Sequence, residues 1–274
     1  MEVTERDRLR TVSRKVRESI LETVWKAGAG HLGGSLSQVE VLVALYFRAL
    51  RIDPTRPDWP ERDRFVLSKG HGGLGLACVL AERGFLPQAE LQEFGKTGHR
   101  LGMHLDHTKV PGVEVSTGSL GHGLGVAVGM ALGAKLQRLP WRTFCLLSDG
   151  ELYEGSTWEA AMAAGGFGLT RLTLIVDRNR RTMDGDTEAL LPLEPIAGKL
   201  AAFGWRAREI DGHDLEAIAS SLEEPEDLRR PTAIIAQTIK GKGVDFMEGE
   251  SRWHYGALDS ADHARALASL GRGT

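Results

Sequence analysis

Ser148-Asp149-Gly150-Glu151-Leu152-Tyr153-Glu154-Gly155, followed by Asp177-Arg178-Asn179, is the stretch whose reading decides the fold. Each part follows an apolar run, Phe144-Cys145-Leu146-Leu147 before the first and Leu172-Thr173-Leu174-Ile175-Val176 before the second. Short apolar runs rich in strand formers read as buried parallel strands. Ligands of open α/β sheets bind just beyond the carboxyl ends of such strands. Asp149 and Asn179 then face one crevice, with a carboxylate and an amide oxygen to offer. Hard oxygen donors suit Mg²⁺, which keeps few protein ligands and takes the rest from phosphates and water. Gly150 lets backbone approach a diphosphate closely. Singly, Asp-Gly and a post-strand Asn are ordinary turn residues. Together they lie thirty positions apart, about the span of one strand-to-strand βαβ unit.

Outward from this stretch, Thr4 to Ala27 has Leu9, Val12, Val16, Ile20 and Val24 at helical spacing, with Thr4 as cap. Gly28 to Ser35 reads as a glycine loop holding His31. Ser37-Gln38-Val39-Glu40 reads as a capping box that opens a helix to about Leu50. Phe65 to Ser68 reads as a strand running into Lys69-Gly70-His71-Gly72-Gly73, then a helix from about Leu74 to Glu82. Such a turn places amide donors at a helix start. His99, His104 and His107 fit no common zinc spacing. Ser116 to Gly125 is a second glycine loop, leading into a small-residue helix to about Leu139. Trp205 to Ile210 and Thr232 to Ala236 continue the strand pattern of a doubly wound sheet. His213 reads as a loop or cap residue. Lys240 and Lys242 read as solvated loop lysines, with phosphate binding as the other reading. From Asp259 onward the chain reads as a surface tail.

The 274 residues suit one large domain with a sizeable core. The net charge of −3, without a dense basic cluster, argues against nucleic acid or an anionic membrane as partner. Cys78 and Cys145 sit in apolar settings and read as core thiols of a reducing compartment. No apolar signal core opens the chain, and no apolar run is long enough for a membrane span, so a cytoplasmic location is expected.

The run from Ser148 to Gly155, with Asn179 after the next strand, resembles the diphosphate and metal motif of thiamine-diphosphate enzymes, and of transketolases specifically. The resemblance extends from about residue 10 to 256. It implies a three-layer α/β thiamine-diphosphate-binding fold with a mostly parallel sheet. Residues 1–274 are then one diphosphate domain of a split transketolase. It implies Mg²⁺ held by Asp149, Asn179 and the Arg181 carbonyl. His31 in Gly-His-x-Gly-Gly, His71 in Ser-Lys-Gly-His, His104 and His254 match family histidines beside the cofactor or substrate, and are the catalytic candidates to relay protons to and from sugar hydroxyls. Gly118 and Leu120 match residues of the loop that supports the cofactor, and Gly150 the glycine of the motif. Glu154 matches a glutamate between the two cofactors of the dimer. His122 stands where the family usually has Gln.

The activity so implied is transfer of a two-carbon ketol unit between sugar phosphates, as in pentose phosphate chemistry. The glutamate that faces the aminopyrimidine belongs to the next domain of the family. A C-terminal partner subunit carrying the pyrimidine-binding half is therefore expected, in an α₂β₂-type heterotetramer with self-association through the diphosphate domain. Other readings are another thiamine-diphosphate enzyme subunit, namely a 2-oxoacid dehydrogenase α chain or a deoxyxylulose-phosphate synthase fragment. A non-catalytic Mg²⁺–diphosphate binding module is a third.

Overall fold

The computed structural model describes residues 1–223 and 229–271. Among the described residues, five strands form one sheet: β1 (Arg64–Leu67), β2 (Thr143–Ser148), β3 (Leu172–Arg178), β4 (Arg206–Asp211) and β5 (Thr232–Gln237). Their order is β1-β2-β3-β5-β4, and every neighbouring pair is parallel. The expected strands are all present, and β3 runs two residues past Val176.

The strand sequences explain the layering. Successive side chains of a strand point to opposite faces. Phe65, Leu67, Phe144, Leu146, Ile175 and Ile234 enter one buried cluster, while Val66, Cys145, Leu147, Leu174, Val176 and Ile235 enter a second. An apolar run therefore feeds two cores, and helices cover both faces. The first core is covered by α1 (Val3–Ala27), α2 (Leu32–Ser37), α3 (Val39–Ala44) and α4 (Gly73–Arg83). The second is covered by α5 (Gly123–Gln137) and α6 (Gly155–Gly166). After β3 come α7 (Thr187–Leu190) and α8 (Ile196–Ala202), the latter on the second core. Next, α9 (Leu215–Glu223) and α10 (Ser260–Leu270) return to the first core.

Four local expectations are corrected. Thr4 lies inside α1, whose N-cap is Glu2. The Gly28–Ser35 loop is helical from Leu32, and no capping box forms at Ser37. The chain steps at Gln38 from α2 into α3 and leaves through a wide π-type turn, Leu45–Ala49. Burial decides this. Ser37 Oγ donates to Asp177 Oδ2 at 2.6 Å, and the Glu40 carboxylate takes the Arg17 guanidinium at 2.5 and 2.7 Å. A buried charge needs its counter-ion more than a helix start needs its cap. The small-residue helix expected to about Leu139 is present and ends at Gln137, with Arg138 left-handed. The tail expected from Asp259 is α10. Asp259 caps it by accepting from the Asp262 amide, Ala266 and Leu270 are buried, and His263 stacks on Trp25 of α1 at 4.4 Å.

Candidate active site

The carboxyl ends of β1, β2, β3 and β5 meet at one edge of the sheet, as the parallel register requires. Asp149 follows β2 and is 1% exposed. Its Oδ2 accepts from the Arg180 amide at 2.6 Å and from Arg178 Nη1 at 3.1 Å, and its Oδ1 accepts from the Gly150 amide at 2.8 Å. Arg180 is left-handed, with φ +62°, which folds the turn after β3 back onto Asp149. In that turn Asn179 Oδ1 accepts from the Arg181 amide at 3.1 Å. The turn after β3 thus carries the Asn179 amide oxygen and the Arg181 carbonyl, and the Asp149 carboxylate at the end of β2 is hydrogen-bonded to it. Burial first, and the Asp177 carboxylate second, push the Asp149 carboxyl up to about 6. A divalent cation would reverse that shift, and three hard oxygens fit Mg²⁺. A Cβ at Gly150 would rest in ordinary contact on Thr182 Cγ2 at 3.5 Å, without a clash.

Lys240 corrects the reading of a solvated loop lysine. It is 2% exposed, and its Nζ donates to the Arg181 carbonyl at 3.0 Å and the Thr182 carbonyl at 3.2 Å, 2.9 Å from His254 Nδ1. Burial, then the neighbouring Lys69, lower its ammonium to about 8. It puts a cation where a diphosphate would bring negative charge. Lys69 is wholly buried and donates to the Gly34 carbonyl at 2.8 Å and Asp177 Oδ2 at 2.5 Å. Asp177 also accepts from Ser37, Thr238 and, at 3.3 Å, Asn179 Nδ2. Burial opposes its ionisation, but Lys69 together with the Ser37 and Thr238 hydrogen bonds outweighs burial and holds the carboxyl low. Asp177 thereby fixes which way the Asn179 amide points.

The four candidate histidines come together. The His31 ring lies 5.7 Å from His71, 6.0 Å from His104 and 5.6 Å from His254, and His71 stacks on His254 at 5.4 Å. Burial, then the His104, Lys240 and Lys69 charges, lower His31 to about 4. Burial and Lys69 take His71 to about 2, and burial and Lys240 take His254 to about 4. These three rings are neutral at pH 7, so each has one donor and one acceptor nitrogen, and the acceptor of His254 is Nδ1, which accepts a hydrogen bond from the Lys240 ammonium. Tyr255, which sequence reading passed over, packs on His31 at 4.8 Å from the open side. His99 and His107 stay outside on the surface, near Glu93 and Ser116. His213 bridges Glu40, at 2.9 Å, and the Ile239 amide.

The second glycine loop borders the rings. A side chain at Gly118 would lie 2.2 Å from His104 Nδ1, so glycine is what lets His104 reach the cluster. Leu120 is half-buried beside it, and its carbonyl lies 3.1 Å from His122 Nδ1. His122 is exposed and spends that nitrogen on its own loop. Glu151 was also missed. Buried, it accepts from Ser68 and, at 2.9 Å, from the Gly121 amide, tying the ends of β1 and β2 to the loop. Glu154 is exposed on the rim. Pairing at long range is what conceals Lys69, Lys240 and Glu151 from a sequence reader. The available signal was position, since each lies just past a strand's carboxyl end.

The carboxyl edge of a parallel sheet here gathers a carboxylate, an amide oxygen, a buried ammonium and four histidine rings, the arrangement of an α/β protein with its site beyond the strand ends. The family model described as "Transketolase, thiamine diphosphate binding domain" matches residues 9–273. The chain belongs to the transketolase family. It is 45% identical to a 6-deoxy-6-sulfo-D-fructose transketolase subunit of Clostridium sp. MSTE9, over 93% of each chain. It is 41% identical to an apulose-4-phosphate transketolase subunit of Phocaeicola vulgatus, over 94% of this chain and 92% of that one. The transketolase of Campylobacter jejuni superposes with a TM-score of 0.92 at 31% identity, covering 99% of this chain and 43% of that one.

Proposed function

We propose that this chain is the diphosphate-binding subunit of a two-subunit transketolase, which moves a two-carbon ketol unit between sugar phosphates with thiamine diphosphate and Mg²⁺. The observation that carries the reading is the convergence of His31, His71, His104 and His254 beside Asp149, Asn179 and Lys240. A metal and diphosphate site alone would serve any enzyme of this cofactor class. The imidazole ring adds what a sugar requires, neutral groups that hold hydroxyls and pass protons. When bound, the cofactor supplies carbanion stabilisation. Asp149, Asn179 and the Arg181 carbonyl hold the metal. Lys240 and the backbone at Gly150 meet the diphosphate, and Gly118 and Leu120 border it. His31 and His104 orient the ketose and accept or return its hydroxyl protons, and His254, whose Nδ1 accepts from Lys240, donates through Nε2. His71 lies deepest in charge repulsion and serves as a fixed neutral hydrogen-bonding wall.

The relatives named as subunits match this chain over nearly their whole length, which supports a partner carrying the pyrimidine-binding half. Self-association is supported by the outer face of α5 and α6, which pack side by side. Val126 is 38% exposed, Leu136 74%, Met162 56% and Phe167 52%. An apolar face of this kind marks an interface, and Glu154 lies at the start of α6.

The test is reconstitution. The chain alone, freed of host transketolase, should show no ketol transfer from xylulose 5-phosphate to ribose 5-phosphate. With the product of a neighbouring reading frame of roughly 300 residues, Mg²⁺ and thiamine diphosphate, transfer should appear. Sulfofructose and apulose 4-phosphate, taken from the relatives' names, complete the donor panel. Substantial turnover by the chain alone would overturn the split-enzyme reading.

A further inference from the structure

Arg178 is the last residue of β3 and has no exposed surface. All five of its N–H groups are used. Nε donates to Glu194 Oε1 at 3.1 Å. Nη1 donates to Asp149 Oδ2 at 3.1 Å and Thr187 Oγ1 at 2.7 Å. Nη2 donates to Glu188 Oε1 at 2.7 Å and Glu194 Oε1 at 3.0 Å. A guanidinium with every donor engaged is fixed in orientation as well as in place.

Its effect on Asp149 is unequal between the two oxygens. Oδ2 accepts from both Arg178 and the Arg180 amide, which takes up the two acceptor directions of that oxygen. Oδ1 accepts only from the Gly150 amide among the described residues. Asp149 therefore has one oxygen left to give. Ca²⁺ accepts carboxylates in one- or two-oxygen fashion within loose shells, whereas Mg²⁺ requires near-octahedral single contacts.

Resting on the metal reading above, we propose that Arg178 is a positioning residue that restricts Asp149 to a one-oxygen ligand and so sets the site's preference for Mg²⁺ over Ca²⁺. Glu188, Glu194 and Thr187 act through Arg178, by holding its fork against Oδ2. A purely structural Arg178 would only fasten the 187–194 segment to the end of β3, and its loss would weaken both metals alike.

The experiment titrates Mg²⁺ and, separately, Ca²⁺ at fixed thiamine diphosphate, with cofactor binding followed by calorimetry. It uses the full chain with its partner subunit, as wild type, Arg178→Met and Arg178→Lys. Arg178→Met should shift the ratio of Mg²⁺ to Ca²⁺ half-saturation by ~10-fold or more toward Ca²⁺, the size of effect usual for groups that orient metal ligands. Arg178→Lys should shift it less in the same direction, because an ammonium keeps the charge and loses the fork. If Arg178→Met does not melt cooperatively, Arg178→Lys decides. An unchanged ratio, including a parallel loss of both metals, overturns the proposal. Wild type that binds the cofactor equally with no metal present would overturn the metal reading itself, an outcome distinct from wild-type Mg²⁺ dependence with an unshifted ratio.

Discussion

Replacing His71 by Asn should flatten the acid sensitivity of the cofactor-free chain. An unfolded histidine binds a proton near its ordinary value of 6.5, whereas burial and Lys69 hold folded His71 neutral down to about 2. Between those limits the unfolded state carries more protons, so stability is full above 6.5 and falls as pH drops. The slope is about 1.36 kcal/mol per pH unit, which amounts to about 2 kcal/mol between pH 7.5 and pH 5.0. His31 and His254 act in the same direction down to about 4, with smaller shares because solvent screens them more. Asp149 acts oppositely. Its folded carboxyl, raised to about 6, takes up a proton before the unfolded one and adds stability as pH falls through 6. Subtracting variant from wild type removes Asp149 from the comparison. Urea unfolding at the two pH values should show wild type losing about 2 kcal/mol more than His71→Asn on acidification. Equal losses in the two proteins would mean that His71 is not held neutral by its surroundings, and the electrostatic picture of the ring cluster would fail with it.

In the assembled enzyme His31→Ala, His104→Ala and His254→Ala should each lower turnover by roughly 10- to 10⁴-fold. His99→Ala and His107→Ala should stay near wild type, and equal effects across all five would mean that the ring cluster is not the catalytic one. Glu40→Ala should destabilise the fold by about 3–5 kcal/mol in urea unfolding, because it strands the buried Arg17 and frees His213. A loss below ~1 kcal/mol would show that Arg17 finds water or another acceptor. The pair also has a pH signature. Burial opposes ionisation of Glu40, but Arg17 and His213 together outweigh it and the carboxyl sits at about 2 against an ordinary 4.5. That contribution is present above 4.5 and is lost as pH falls toward 2.

The sheet was legible because its strands are short apolar runs bounded by glycine turns. Phe144 to Leu147 and Leu172 to Val176 can be read without knowing what covers them, since both faces are buried. Some of the oxygen donors and histidines were legible for a related reason. Asp149, Asn179, His31 and His71 follow strands or lie in glycine loops, and these positions converge once the sheet is parallel, whereas His104, His254 and the Arg181 carbonyl were legible only through the family resemblance. What could not be read was every group whose state depends on a distant partner. Ser37 and Glu40 have the spacing of a helix cap, and Asp177 and Arg17 claim them from elsewhere in the chain. Lys240 looks like any loop lysine until the turn at Arg181 and Thr182 supplies its acceptors. The α10 segment carries Ala266 and Leu270 on one face, too weak an apolar stripe to show by itself that α1 receives it.

The central claim is that Asp149 and Asn179 hold the metal that anchors the cofactor. Its most direct test is calorimetric titration of thiamine diphosphate with Mg²⁺ into the assembled enzyme carrying Asp149→Ala or Asn179→Ala. Each substitution removes one of very few protein oxygens, and the account expects Mg²⁺-dependent binding to be abolished in both. Wild-type cofactor affinity in both variants would contradict it.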